Sequence, residues 1–424
     1  MSGSATGPGV VGAVARATRS PAELAVDGGR PQLDGLGPFP TWPQFGPEEE
    51  ADLLAVLRSG HWGSTSGHVV ADFESEFAGF HRVRHATATT NCTAGIAAAL
   101  RAGGVGIGDE VIVPPYTFIA TASAALMVGA TPVFADVDPA THLLDPGRCA
   151  EMITDRTRAI IPVHLAGNVA DVDAFAELGR RHGLMIIEDA AQAIGACWRG
   201  RPVGSFGDVG VFSFQSSKNL TAGEGGMITT GDDDRAAAIY SQVNLGRVRG
   251  GGWYQHETIG FNLRMTEFQA AVLRAQLRRF PAQQAIRADR ATRLRTALTD
   301  VEGVLLGPDD PRVTRHGHHL FLIRLPELGA RGLRDAAAEA LRAEGVPVST
   351  GYLPLHRNPA LNRAVADLCR RDGRKPAPAH CPQADLVGAD TIWLPQQVLL
   401  GSPEQIDAVG RAIIKVTATL GCRR

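Results

Sequence analysis

The sequence predicts an α/β fold: a large lobe with a mainly parallel sheet between helices, then a smaller C-terminal α+β lobe. Three observations carry this. Short apolar runs rich in β-branched residues alternate with helical patterns between residues 86 and 230. The 424-residue chain is too long for one small core. Beyond about residue 300 the alternation gives way to one clear strand run among helices. Residues 1–45 read as an N-terminal arm, its first 22 or so, rich in Gly, Ala and Ser, as disordered. The large lobe is expected over 46–280 and the small one over 281–424.

Pro47 opens a helix with an acidic first turn and a glycine stop at Gly60. A loop follows over 61–67, then an amphipathic helix through Phe73, Phe77 and Phe80. Strands are expected over 86–90, 111–113, 132–137, 159–164, 184–189, 209–214 and 227–230, and helices over 93–102, 117–127 and 172–182. A long helix starts from Asn262 with a bend expected at Pro281, and helical spacing resumes over 290–298. In the small lobe 320–324 reads as a strand, and 331–344 and 404–420 as helices.

Composition excludes several classes. The formal charge of -2 leaves no general nucleic-acid footprint. Six scattered cysteines without CxxC spacing form neither a zinc site nor a disulfide framework, and a cytoplasmic setting is expected. No apolar run approaches the ~20 residues that span a bilayer, and the N-terminus has no apolar secretory core. His316, His318 and His319 lack acidic or cysteine partners at ligand spacing, so no metal is expected.

Chemistry concentrates in four places. Lys218 stands in a segment of small polar residues and glycine between two apolar strand runs. Such flanks put its ammonium in a partly dry pocket, where its pKa falls and the neutral amine can attack a carbonyl. Asp189 ends the apolar run Leu184–Asp189; a helix cap is the ordinary use of such an acid, but a buried one needs a cationic partner. Thr90-Asn91-Cys92-Thr93-Ala94-Gly95 joins a strand to a helix, where free amides and the helix dipole suit a phosphate. It is neither a Walker loop nor GxGxxG. Phe118, beyond the next strand, is either a core residue or a face for a planar ring. Amine, acid, amides and aromatic face together describe a pocket for pyridoxal 5'-phosphate.

These residues, with Glu188-Asp-Ala-Ala-Gln192, Ser213-Phe-x-x-x-Lys218, Gly223-Glu-Gly-Gly226 and Gly260-Phe-Asn-Leu-Arg-Met265, make a chain that resembles the DegT/DnrJ/StrS family of fold type I aminotransferases. The resemblance runs from about Leu24 to the C-terminus and implies a seven-stranded type of sheet and a homodimer with shared sites. By resemblance, Lys218 would form a Schiff base with the cofactor and later shuttle a proton. Asp189 would pair with the pyridine nitrogen, and Gln192 would lie near the phenolic oxygen. Ser213 and the Cys92 and Thr93 amides would bind phosphate, Phe118 would stack on the ring, and Asn262 would reach the partner subunit's phosphate. Cys92 departs from the family's glycine or serine, a change a backbone amide survives.

The segments 39–44 and 246–256 are similar to the branch holding inosose aminotransferases and 3-amino-5-hydroxybenzoate synthases. That branch implies L-glutamine or L-glutamate as donor and a keto-cyclitol or keto-sugar as acceptor, in antibiotic pathways of aminoglycoside type. His164, Arg247, Tyr254, His256, Tyr352 and His356 are candidates for substrate contact, and the 246–256 loop is expected to close over the pocket. Two alternatives stand beside transamination: a dehydratase and aromatase like the hydroxybenzoate synthases, and a cofactor-binding partner protein without turnover.

Overall fold

The computed structural model describes residues 23–422; the disorder expected for the first 22 lies outside the described residues. Seven strands form the central sheet: β1 (His85–Thr89), β2 (Glu110–Val113), β3 (Thr131–Phe134), β4 (Thr157–Ile160), β5 (Met185–Asp189), β6 (Val209–Ser213) and β7 (Gly226–Thr230). Their spatial order is β1-β7-β6-β5-β4-β2-β3. Neighbours from β6 across to β3 run parallel. β7 runs antiparallel to both β1 and β6. The reversal follows from chain length: β7 returns beside β6 through the 214–225 loop, with no crossover helix between them. The loop that holds Lys218 is the turn of this hairpin.

The sheet is buried on both faces, because alternate residues feed opposite cores. Val111 and Val113 of β2 pack with the small residues that follow β1, while Ile112 between them joins Val133, Ile160, Phe175 and Ile186. The strands expected over 132–137 and 159–164 end early, at Phe134 and Ile160. The residues that extend them stay buried and paired only by isolated bridges and single bonds, Val137 with Leu144 and Val163 with Asp189, whose carbonyl accepts from the His164 amide at 3.0 Å.

The longer helices of the large lobe are α1 (Pro47–Ser59), α2 (Val69–His81), α3 (Cys92–Ala102), α4 (Ala120–Met127), α5 (Val172–His182), α6 (Asp233–Val243) and α7 (Glu267–Leu298). α1 stops at Gly60 in the left-handed conformation, φ 69°. Phe73 and Phe77 of α2 meet Phe214 and Phe212 edge-on, at 5.5 and 5.0 Å. α7 begins only after the Thr266 cap, whose capping box with Gln269 satisfies the first turn. It then runs unbroken through Pro281, so the boundary expected at 280/281 falls inside a helix. Ala270, Leu273, Leu277 and Phe280 serve one core, and Ala291, Leu294 and Leu298 serve another.

The second core belongs to a small antiparallel sheet of β8 (Leu320–Arg324), β9 (Ser349–Thr350) and β10 (Thr391–Pro395), ordered β8-β10-β9. α8 (Arg334–Ala343) and α9 (Pro403–Cys422) share it. The N-terminal arm from residue 23 lies on this body: Leu24 and Leu33 enter the core, and the Ala25 and Gln32 amides donate to Glu344 at 2.9 Å. Arg324 of β8 pairs with buried Asp390 at 2.6 Å and donates to Pro139 O at 2.8 Å, tying the small sheet to the loop after β3.

Burial lowers the imidazoles of His81, His142 and His318 to about 4. In the unfolded chain they titrate near ~6.5, so between these values the unfolded state binds more protons. Their contribution is full above about pH 6.5 and is lost as pH falls toward 4. Calorimetry should therefore find a lower Tm at about pH 5 than at about pH 7.5. An equal or higher Tm at the acid value would contradict this burial.

Candidate active site

The turn between β6 and β7 is anchored on both sides of Lys218. Phe214 and Leu220 are fully buried. The Phe214 carbonyl accepts from Thr221 Oγ1 at 3.0 Å and from the Ala222 amide at 3.1 Å. Asn219 Nδ2 donates to Gly317 O at 2.9 Å, holding the turn against the strand that leads into β8. Lys218 lines a cleft of about 860 Å³ at the carboxyl ends of the parallel strands. Among the described residues no hydrogen bond or ion pair engages its Nζ. Desolvation lowers its pKa against the opposing pull of Cys92 and Asp189, which enriches the neutral, nucleophilic amine.

Asp189, the last residue of β5, faces the same cleft. Its Oδ2 accepts from Thr121 Oγ1 at 2.7 Å and its Oδ1 from the Ala191 amide at 3.2 Å. Burial raises its pKa, and the bonds from Thr121 and Ala191 and the field of Lys218 only partly offset that. A carboxylate so placed, with no cation in contact, suits a protonated ligand nitrogen.

The preceding residue, Glu188, turns to the other face of β5 and is fully satisfied there. It accepts from His164 Nε2 at 3.0 Å and from the Gly204, Phe206 and Gly207 amides at 2.8, 2.7 and 2.8 Å. Burial alone would raise its pKa, but these donors hold it below the ordinary value. His164 Nδ1 accepts from the Ala170 amide at 3.1 Å, so Nε2 carries the proton given to Glu188. His164 is therefore a buried structural partner and not a substrate contact, which corrects the sequence reading. Its position beyond β4 was legible; the backward turn of its ring was not.

α3 begins directly after β1, and the amides of Cys92 and Thr93 open its first turn, where no intrahelical acceptor exists. Asn91 Oδ1 takes the Ala94 amide at 2.8 Å. Cys92, Thr93 and Ser213 all line the cleft. Gly226 lets β7 approach this turn: a Cβ there would lie 2.7 Å from the Asn91 carbonyl carbon and 2.9 Å from the Cys92 nitrogen. Gln192 accepts from the Ala166 amide at 2.7 Å and donates to Tyr352 Oη at 3.0 Å. Burial raises the Tyr352 phenol to about 12, so it stays protonated. Phe118 lines the cleft with its side chain 57% exposed, a face open to a planar ring.

Four expected contacts lie elsewhere. His356 is buried 3.1 Å from Asp385 and lines a separate cavity beside Phe134. Arg247, Tyr254 and His256 sit in a loop closed on itself. Arg247 bridges to His256, whose Nδ1 donates to Leu245 O at 2.8 Å, and the Arg247 guanidinium lies 5.8 Å from the Trp253 ring. Asn262, exposed and bridged to Asn244, also lies outside its own chain's cleft. Conversely, Thr121, Glu224, His319 and Trp393 line the cleft and were not read as ligand-facing. Thr121 was in reach, one helical turn past Thr117; Trp393 lies far along the chain and carries no local signal.

Comparison with known proteins agrees with this geometry. The family model described as the DegT/DnrJ/EryC1/StrS aminotransferase family matches residues 43–414. The chain belongs to this family. It is 39% identical over 414 residues to the L-glutamine:scyllo-inosose aminotransferase of Streptomyces griseus, covering 93% of this chain and 97% of that one. It is 37% identical over 388 residues to the 3-amino-5-hydroxybenzoate synthase of Amycolatopsis mediterranei (strain S699), covering 90% and 97%. The crystal structure of a 3-amino-5-hydroxybenzoic acid synthase superposes with a TM-score of 0.83 at 37% identity, over 90% of this chain and 99% of that one.

The protein is thus a pyridoxal-phosphate-dependent aminotransferase with the fold of that family. The residues present fit the cofactor: an unengaged lysine amine, a buried acid without a cation, and free amides at a helix start. When bound, the cofactor supplies an electrophilic aldehyde and an electron sink for the carbanion formed as the amino group moves.

Gly226→Ala should push the first turn of α3 away from β7. Overpacking of about 1–3 kcal/mol at that contact predicts roughly tenfold weaker cofactor binding when the apoprotein is titrated with pyridoxal phosphate. Unchanged affinity would contradict a phosphate-binding role for this turn.

Proposed function

We propose that the protein moves an amino group from L-glutamine or L-glutamate to a keto-cyclitol or keto-sugar in antibiotic biosynthesis of the aminoglycoside type. In this reading Lys218 binds the cofactor through its neutral amine and afterwards carries the transferred proton on Nζ. Asp189 holds the pyridine nitrogen in its protonated form, with Thr121 fixing the carboxylate. The Cys92 and Thr93 amides and Ser213 hold the phosphate, Gln192 lies by the phenolic oxygen, and Phe118 covers the ring.

The acceptor class rests on one observation: Lys218 is the single Lys or Arg among the described residues lining the cleft, and beside the acids Asp189 and Glu224 its walls are mainly neutral polar groups and the rings of Phe118, Tyr352 and Trp393. Aromatic faces and neutral donors suit an uncharged polyol ring better than a diphosphate. The inosose aminotransferase relative acts, by its name, on such a ring. Incubation with L-glutamine and scyllo-inosose should yield the amino-cyclitol by mass spectrometry. Finding no amine from any keto-cyclitol, but an aromatic product from an amino-dehydroshikimate-type substrate, would favour the second reading, which the similarity to the hydroxybenzoate synthase supports.

We further infer a homodimer with shared sites. Trp253, Tyr254 and Ile259 are each about four-fifths exposed on the loop that also carries Arg247 and His256, and Asn262 follows it. An apolar exposed patch of this kind suits a second copy of the chain, whose cleft these residues would complete. In a 1:1 mixture of Lys218→Ala and Asn262→Ala proteins, hybrid dimers should regain about a quarter of wild-type activity, one intact site in half of the dimers. No recovery would contradict sharing. The five buried cysteines and exposed Cys422 are all unpaired, which supports a cytoplasmic setting. Among the described residues no helix is long and apolar enough to cross a membrane.

A further inference from the structure

Arg287, on the second half of α7, is fully buried, yet among the described residues no carboxylate meets it. Its Nε donates to Gln396 Oε1 at 2.8 Å, while Nη1 and Nη2 have no partner among the described residues. The Nε2 of Gln396 is likewise buried and unpaired. Arg324 and Lys415, by contrast, are matched: Arg324 has Asp390 at 2.6 Å, and Lys415 has Glu344 at 2.8 Å. Burial draws the Arg287 guanidinium down to about 9, and it keeps its charge at neutral pH. An uncompensated buried cation is strongly unfavourable unless something is meant to meet it.

The position points to what that is. Gln396 follows β10 and lines the cleft that holds Lys218 and Asp189. His319, another wall of the cleft, is close enough for Arg287 to disfavour its protonation. On the other side the guanidinium lies 5.2 Å from the ring of Trp42 in the N-terminal arm. Trp42 Nε1 in turn donates to Ser216 O at 3.0 Å, two residues before Lys218. Arg287 thus stands directly behind the cleft wall, under an aromatic cover carried by the arm. Gln283 and Gln284, one turn back on α7, each leave an oxygen unpaired; these acceptors are neutral and leave the charge unmet.

We propose that Arg287 and Gln396 form the receptor for a carboxylate of the amino donor, with Trp42 as the cover that the donor displaces. Three nitrogen donors, Arg287 Nη1 and Nη2 and Gln396 Nε2, have no acceptor among the described residues, and a carboxylate matches a guanidinium fork in charge and geometry. The site rests on the reading of an amino acid as donor. The cyclic ketone carries no carboxylate, so the site separates the two half-reactions: it recognises the donor and ignores the acceptor.

The test compares wild type, Arg287→Gln and Gln396→Glu, each loaded with cofactor, by calorimetric titration with glutarate, an unreactive dicarboxylate. Wild type should bind, and both variants should bind about 30-fold or more weakly. Gln396→Glu places a carboxylate beside Arg287, so it should also raise Tm while losing glutarate. This variant keeps the test decisive if Arg287→Gln folds poorly. In turnover, Arg287→Gln should raise KM for L-glutamine and leave KM for the ketone unchanged. No glutarate binding by wild type would mean that water alone meets the charge, and would overturn the receptor. So would affinity within about twofold of wild type in either variant. If wild type binds glutarate through Arg287 but accepts no amino group from L-glutamine or L-glutamate, the functional reading fails and the carboxylate receptor stands.

Discussion

A carboxylate and an amine share one cleft here without touching, and much of the architecture exists to keep them so. Asp189 is buried at the end of β5, bonded only to Thr121 and a backbone amide. Lys218 enters from the β6–β7 turn with no partner on its nitrogen among the described residues. Direct contact would lock both groups in their charged forms. Held apart, the acid keeps its demand for a cation and the amine is shifted toward its neutral form. Both demands would be met at once by a ring with a protonated nitrogen at one end and an aldehyde near the other.

Several features that look incidental serve this arrangement. The antiparallel return of β7 puts Lys218 on a short hairpin turn rather than on a crossover, and the burial of Phe214 and Leu220 limits how far the turn can move. On the reverse face of β5, the His164–Glu188 pair and three amides fix the strand end from which Asp189 projects. The small sheet contributes from a distance: Trp393 and Gln396 come from β10 and its end, and Tyr352 follows β9 and reaches Gln192. The cleft is thus built between two cores that α7 joins.

What the sequence disclosed depended on how local each determinant is. Lys218, Asp189, Cys92, Thr93, Ser213 and Phe118 lie at strand ends flanked by apolar runs, and all line the cleft. Strand-end logic could not distinguish which way a ring turns, so His164 was placed in the cleft when its Nε2 is committed to Glu188. His356 failed for a related reason: its nearest acid, Asp385, is reached only through tertiary packing. The Arg247–His256 loop folds back on itself and stays outside its own chain's cleft. Arg287 looked like one more arginine on a helix, because absence of a partner is a property of three dimensions. Pro281 suggested a bend and a lobe boundary; the helix runs through it, and its two halves pack into different cores.

The described structure offers three very different lysines, the only ones in the sequence: Lys218 in the cleft, Lys375 exposed, and Lys415 paired with Glu344. Borohydride reduction of the cofactor-loaded protein, followed by peptide mapping, therefore tests the central claim with little ambiguity. The account predicts a pyridoxyl group on Lys218 alone. A label on Lys375 or Lys415, or an unlabelled protein after full cofactor loading, would contradict it.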